Sequence, residues 1–273
     1  MTATAVGARP RRGVPRFLRA TEYFATLFRQ FWRGSIVGIV VSPILYLFAM
    51  GLGVGSLVDD NLAGGDARSA LDGASYLDFV APGLMAAGAM QAAVGGSLYP
   101  VLASVKWLRT AFGVAATPLR PSDIALGFQT WLGIQILCSA TVSAVIITIA
   151  GAVSSWWVLA APPAAMLGGL AYSGLAAAWA IGRDGDHSFA LIFRLGVLPS
   201  FLLSGTFFPV DQLPAPLEVL ARVTPLWHSV SLVRGFTTGE VAGSTAGHLA
   251  VLLAYTGAGL LLGRGQYERR LHQ

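Results

Sequence analysis

The chain has 273 residues, of which 55% are hydrophobic and only 11% charged, with a mean hydropathy of +0.65 and a formal net charge of +5. Soluble domains carry about 25% charged residues, so this composition excludes a soluble globular protein and points to a bilayer as the solvent. One cysteine, Cys138, excludes a disulfide framework.

Residues 1–12 form a basic tail, expected to be disordered, ahead of a transmembrane domain over 13–273. Gly13–Gly34 reads as a helix lying flat at the membrane surface. At about 100° per residue, Arg19, Glu22, Thr26, Arg29 and Arg33 fall on one arc, and Phe17, Ala20, Phe24, Leu27, Phe28 and Phe31 on the other. A basic face opposite an aromatic one suits the headgroup layer. No cleavable signal peptide is expected, because the apolar run that follows is too long for one.

A helix rises about 1.5 Å per residue, so roughly 20 apolar residues cross a bilayer core about 30 Å thick. The first uncharged run, Ser35–Val58, meets that length, and an acidic connector, Asp59–Asp78, follows it. Phe79–Val105 is the second span. Lys106–Asp123 (KWLRTAFGVAATPLRPSD) is polar at its ends and apolar between, and reads as a short amphipathic helix or a hairpin loop, with Ser122 or Asp123 as the cap of the next span. The run Ile124–Gly182 holds two passes, 124–150 and 157–181, around an uncharged turn at Ser154–Trp157. Leu195–Val210 is too short alone; extended to 188–208 it takes Arg194 into its end, where the side chain can snorkel.

Ser204–Gly243 is strongly apolar yet broken by Gly205, Pro209, Pro214, Pro216 and Pro225. Asp211, Glu218, Arg222 and Arg234 make a further crossing costly. Short helices that dip into one leaflet and return fit better, since backbone at membrane depth needs internal partners. The sixth span is 243–263. The fold class expected is therefore all-α: an integral membrane protein with six transmembrane helices, an interfacial helix before them, and re-entrant helices between the fifth and sixth.

Of the 18 basic residues, 15 fall in the N-terminal segment, the Lys106–Asp123 connector, the Arg183–Arg194 return and the C-terminal tail. The positive-inside bias then puts both termini in the cytosol. The pI near 9.8 reflects this topology, and no basic face with interleaved aromatics suggests nucleic acid.

Catalytic apparatus is missing from the pattern. There is no GxxxxGK[ST] loop, and the lone lysine, Lys106, follows Val105. His187, His228, His248 and His272 lack partners at metal-ligand spacing. No enzyme activity, cofactor or metal is expected in the chain. The spans also lack Asp and Glu, the usual coupling groups of ion-driven carriers, so a transporter built this way would draw its energy from elsewhere.

The segment LLSGTFFPVDQLPAPLEVLARVTPLWHSVSLVRG (Leu202–Gly235) resembles the signature of ABC-2 type permeases, near the nodulation protein J and daunorubicin-resistance exporter branches. SPILYLFAMGLGVG (Ser42–Gly55) and YLDFVAPGLMAAGAMQ (Tyr76–Gln91) match the same branch, and the likeness runs from about Phe17 to Arg270. The resemblance implies half of a dimeric, ATP-driven exporter in the cytoplasmic membrane, a homodimer or a heterodimer with a second permease. ATP and Mg would be bound by a separate ATPase subunit that contacts the N-terminal helix and the first cytosolic connector.

Within that connector Lys106, Trp107, Arg109 and Arg120 are the candidate coupling residues. Tyr46, Met85, Met90, Gln91, Phe201, Phe207 and Phe208 are candidates for a substrate pathway at the dimer seam, and core packing accounts equally well for most of them. Gly205, Pro209, Pro214 and Pro225 shape the re-entrant segment. Such a lining suits an amphiphile: an apolar drug, a glycolipid or a lipid-linked saccharide, as in antibiotic efflux. The competing reading is a membrane-embedded assembly subunit without a transport cycle.

Overall fold

The structure, a computed structural model, describes residues 15–29, 41, 44–46, 48–49, 75–241 and 243–271. The predicted basic tail and most of the predicted first span, 35–58, lie outside these; Tyr46 is described, in helical conformation and exposed.

Helix α1, Arg16–Phe28, packs its apolar arc on protein. Ala20 and Thr21 are buried, the Thr21 hydroxyl donates to the Gly127 carbonyl at 3.3 Å, and Phe24 and Phe28 meet Phe128 and Trp131 edge to face. A Cβ on Gly127 would collide with Ala20, so the close approach of α1 requires glycine there.

Helix α2, Tyr76–Leu102, starts at a reciprocal cap in which the Ser75 hydroxyl accepts from Asp78 N–H and the Asp78 carboxylate accepts from Ser75 N–H. Pro100, in its last turn, cannot donate to the ladder, and the chain relaxes into a π-helical turn over Ala103–Trp107. A six-residue helix α3, Thr110–Ala115, occupies the connector where an amphipathic helix is expected. Helix α4 runs over Pro121–Ile149. Arg120, not Ser122 or Asp123, holds its cap position, because Pro121 starts the helix and Asp123 reaches back to accept from Arg120 N–H at 3.0 Å.

Helix α5, Ala161–Ile181, follows a 3₁₀ turn at Trp156–Ala160 and forms the axis of the molecule. It packs on α2, on α4 and on two later helices, α8 (Pro225–Thr238) and α9 (Thr245–Leu271). Small residues permit this: a Cβ on Gly174 would sit 2.8 Å from Gly259 of α9, and one on Gly169 would sit 2.9 Å from the Ala89 carbonyl of α2. Such crossings are typical where dispersion and close backbone contact, not hydrophobic exclusion, hold helices together. The Ser173 hydroxyl donates to the Gln129 side chain and ties α5 to α4.

Helix α6, the apolar stretch Phe189–Leu203, includes a π segment at Ile192–Val197 and is shorter than the 188–208 expected. Helix α7, Ala215–Val223, is followed at Thr224 by α8. The break at Thr224 faces the middle of α5. Leu226 N–H donates to the Tyr172 hydroxyl at 3.3 Å, and the Tyr255 hydroxyl donates to the Val223 carbonyl at 3.0 Å. Tyr172 lies roughly 16 Å along α5. The far end of α8 meets the α4–α5 turn, where Ser154 N–H donates to the Thr237 carbonyl.

Four helical segments among the described residues are long and apolar enough to cross a membrane: Tyr76–Trp107, Pro121–Ile149, Trp156–Ile181 and Thr245–Arg270. The expected spans 79–105, 124–150, 157–181 and 243–263 overlap these, the last helix running on to Arg270.

Candidate functional site

The π turn after α2 carries Lys106 to the end of the molecule where the α5–α6 turn and the C-terminal end of α9 also arrive. There the Asp184 carboxylate accepts from Lys106 Nζ at 3.0 Å and from Arg270 Nη2 at 2.6 Å, both at Oδ1. Hydrogen bonds from Arg270 first and Lys106 second hold this carboxyl below the usual carboxylate range. One acidic side chain thus joins three chain segments that lie 78 and 86 residues apart.

Beside this clasp lies a pocket of about 410 Å³, lined by Val105, Lys106, Arg109, Phe112 and Arg270. Arg109 stands at the corner between the π turn and α3 with φ 52°, a left-handed backbone that non-glycine residues adopt at a cost. Its guanidinium lies 5.4 Å from the Phe112 ring centre, and no carboxylate among the described residues pairs with it. Trp107 and Leu108 stand exposed at the same corner. Lys106, Trp107 and Arg109 are therefore brought together, while Arg120 stands apart at the cap of α4.

The predicted pathway residues are less gathered. Met85 and Met90 are buried in the helix core, with 4% and 0% of their surface exposed, and Gln91 is half-buried. Phe201 and Phe207 pack edge to face with ring centres 4.9 Å apart, and Phe208 is half-buried nearby in the chain.

At the opposite end, Gly205 turns the chain with φ 80°, Pro209 precedes a 3₁₀ turn, Pro214 caps α7 and Pro225 opens α8. Arg234 of α8 donates through Nη2 to the carbonyls of Gly205, at 2.8 Å, and Phe79, at 3.1 Å. Its guanidinium carbon lies 3.9 Å from the Phe79 ring centre. One arginine thereby fastens the Gly205 turn to the first turn of α2.

The family model "ABC-2 type transporter" matches residues 23–237. The chain belongs to the ABC-2 type transporter family. It is similar to nodulation protein J of Rhizobium leguminosarum bv. viciae, 30% identical over 238 residues that cover 87% of this chain and 88% of that protein. Nodulation protein J of R. leguminosarum bv. trifolii is 31% identical, covering 87% of both chains, and that of Bradyrhizobium diazoefficiens is 30% identical, covering 88% and 89%. The chain is a membrane subunit of an ABC transporter, and its family implies a partner ATP-binding subunit.

Three features of this permease have no signature in its linear sequence. Asp184 and Arg270 complete the clasp around Lys106, yet nothing in their spacing marks them. Arg234 reads as a cost at membrane depth, but its carbonyl partners lie 29 and 155 residues away. His228 and His248, scattered in sequence, meet with their Nδ1 atoms 2.8 Å apart against Trp227.

Proposed function

We propose that this permease is the membrane half of an ATP-driven exporter that moves an amphiphile out across the cytoplasmic membrane. Six spans with both termini in the cytosol, and α7–α8 folded back into the outer leaflet, describe it best. Support comes from the Arg and Lys distribution and from the break at Thr224 opposite Tyr172, roughly the middle of α5. A separate ATPase binds ATP and Mg, docks on α1 and on the Lys106–Asp123 connector, and pushes the latter as it closes. Two permease copies, or this chain and a second permease, enclose the pathway.

The observation that carries the coupling role is the clasp. A push on Lys106, Trp107 and Arg109 bears directly on Asp184 and Arg270, hence on the ends of α5, α6 and α9. A connector wired to three helices can move them as a body. An amphiphilic substrate agrees with the pathway candidates Tyr46, Met85, Met90, Gln91, Phe201, Phe207 and Phe208, which carry aromatic, thioether and amide groups but no charge.

The test is coexpression with a candidate partner ATPase from the same organism, followed by copurification and ATP hydrolysis assays. Charge reversal at Arg109 with Trp107→Ala is expected to abolish copurification while membrane insertion persists. Intact copurification in that variant would place docking elsewhere. Uptake of a fluorescent amphiphile into inside-out vesicles would establish export; loss from preloaded ones would mean import.

A further inference from the structure

We propose that the pocket beside the clasp binds the phosphodiester headgroup of an anionic phospholipid. Three cations, Lys106, Arg109 and Arg270, face it or its rim, and among the described residues Asp184 is the one carboxylate paired with them. The pocket therefore keeps an excess of about two positive charges. Lys106 and Arg270 each commit one donor to Asp184, and an ammonium has three donors and a guanidinium five, so both retain donors for a second anion. Arg109 has no carboxylate among the described residues and is held at the corner by an uncommon backbone conformation.

The size of the pocket suits a small ligand, and its apolar rim selects a lipid over a soluble anion. At about 410 Å³ the pocket lies in the range of small-ligand sites, roughly 300–1,000 Å³. Beside it Trp107 and Leu108 are 55% and 71% exposed. An exposed indole and an exposed leucine flanking a cationic pocket match the boundary between headgroups and acyl chains, where aromatic side chains collect and basic pockets between helices take anionic headgroups. The acyl chains would lie over Leu108 and the phosphate between Arg109 and Lys106. Such a lipid would neutralise the corner and hold the connector ready for its partner.

The inference rests on the functional reading only in that this end of the helices lies in the cytosolic headgroup layer. A cysteine at position 109 that labels from outside the cell would overturn that orientation by itself, whatever the lipid result. For the site, the purified permease without ATPase is titrated with phosphatidylglycerol or phosphatidylcholine in detergent, and bound lipids are counted by native mass spectrometry. Phosphatidylglycerol should fill one site ahead of phosphatidylcholine.

Each cation near an anionic surface contributes about 1 kcal/mol, close to five-fold in affinity. Arg109→Gln should weaken the phosphatidylglycerol site roughly five-fold, and Lys106→Gln with Arg109→Gln roughly twenty-five-fold. Arg109→Lys should stay near the parent, and phosphatidylcholine binding should not change. Melting in detergent checks each variant's fold. Should the double variant unfold, Arg109→Gln, which breaks no ion pair, carries the test. Equal binding of the two lipids, or phosphatidylglycerol binding indifferent to Arg109→Gln, would overturn the proposal. Displacement of the lipid by millimolar inorganic phosphate would do so too, since the site would then serve a soluble anion. Phosphatidylglycerol binding that disappears when the ATPase is added would identify the pocket as a seat for an acidic ATPase side chain, and would also overturn it.

Discussion

The Nδ1 atoms of His228 and His248 lie 2.8 Å apart, a hydrogen bond that joins α8 to the first turn of α9. One ring must donate and the other accept, which requires the acceptor to be neutral. Both rings pack on Trp227, and the Arg222 guanidinium, paired with Glu218, lies 6.0 Å from the Trp227 ring centre. Glu240 and His248 line the same small cavity.

This pair predicts a pH response. Burial first, and the neighbouring His248 second, hold His228 below its ordinary value of 6.5. The unfolded chain therefore binds a proton at a higher pH than the folded one, and stability falls as pH drops below about 6.5. We expect the α8–α9 seam to exchange amide hydrogens faster at pH 5.5 than at pH 7.5. In His228→Gln the difference should shrink, with a loss of about 1 kcal/mol at neutral pH. A parent protein whose seam exchanges equally at both pH values would show that the pair does not titrate in this range.

Gly174 and Gly259 set the α5–α9 crossing. A Cβ at either position meets backbone 2.8 Å away, which cannot yield as a side chain would. Gly174→Ala should cost roughly 1–3 kcal/mol as overpacking, read as a lower melting temperature in detergent. Gly257→Ala, on α9 two residues before Gly259 and with open space around it, should be neutral or mildly stabilising.

Arg234→Ala should be among the more damaging single changes in the α8 region. It strands the Gly205 carbonyl, at roughly 1–3 kcal/mol for an unpaired buried polar group, takes a second donor from the helical Phe79 carbonyl, and removes the guanidinium from the Phe79 ring. Arg234→Lys should recover little, because one ammonium does not reproduce the planar fork. Proteolysis within 204–214 is the readout: faster cleavage in both variants is expected, and unchanged cleavage would show that the turn is held otherwise.

The clasp at Asp184 weakens on acidification too, as the histidine pair does, but at a much lower pH. Its carboxyl is held below the usual value of 3.8, so its contribution is complete above that value and fades as pH falls through the lowered one. Near neutrality it should be constant. Asp184→Asn should increase hydrogen exchange across 103–115 and 264–271 together, since both lose the same partner. An effect confined to one of these segments would mean the two pairs act independently.

The solvent, the helical class and the positions of the long helices were legible in the sequence, because twenty uncharged residues in a row leave a chain little choice but to bury its backbone bonds in a helix within lipid. The breaks at Gly205, Pro209, Pro214 and Pro225 were legible for a similar local reason: each residue restricts or frees its own backbone. Lys106, Trp107 and Arg109 stood out as charge and aromatic bulk in a short connector.

Only the tertiary structure decided what those residues touch. Asp184 and Arg270 join Lys106 because three helix ends converge, and convergence depends on helix crossings set by Gly169, Gly174 and Gly259. Arg234 changes from an apparent expense to a fastener once two carbonyls come within 3.1 Å of it. His228 and His248, twenty residues apart and on different helices, become a pair for the same reason. A sequence states how each residue shapes its own backbone; which distant side chains meet is decided by how whole helices pack.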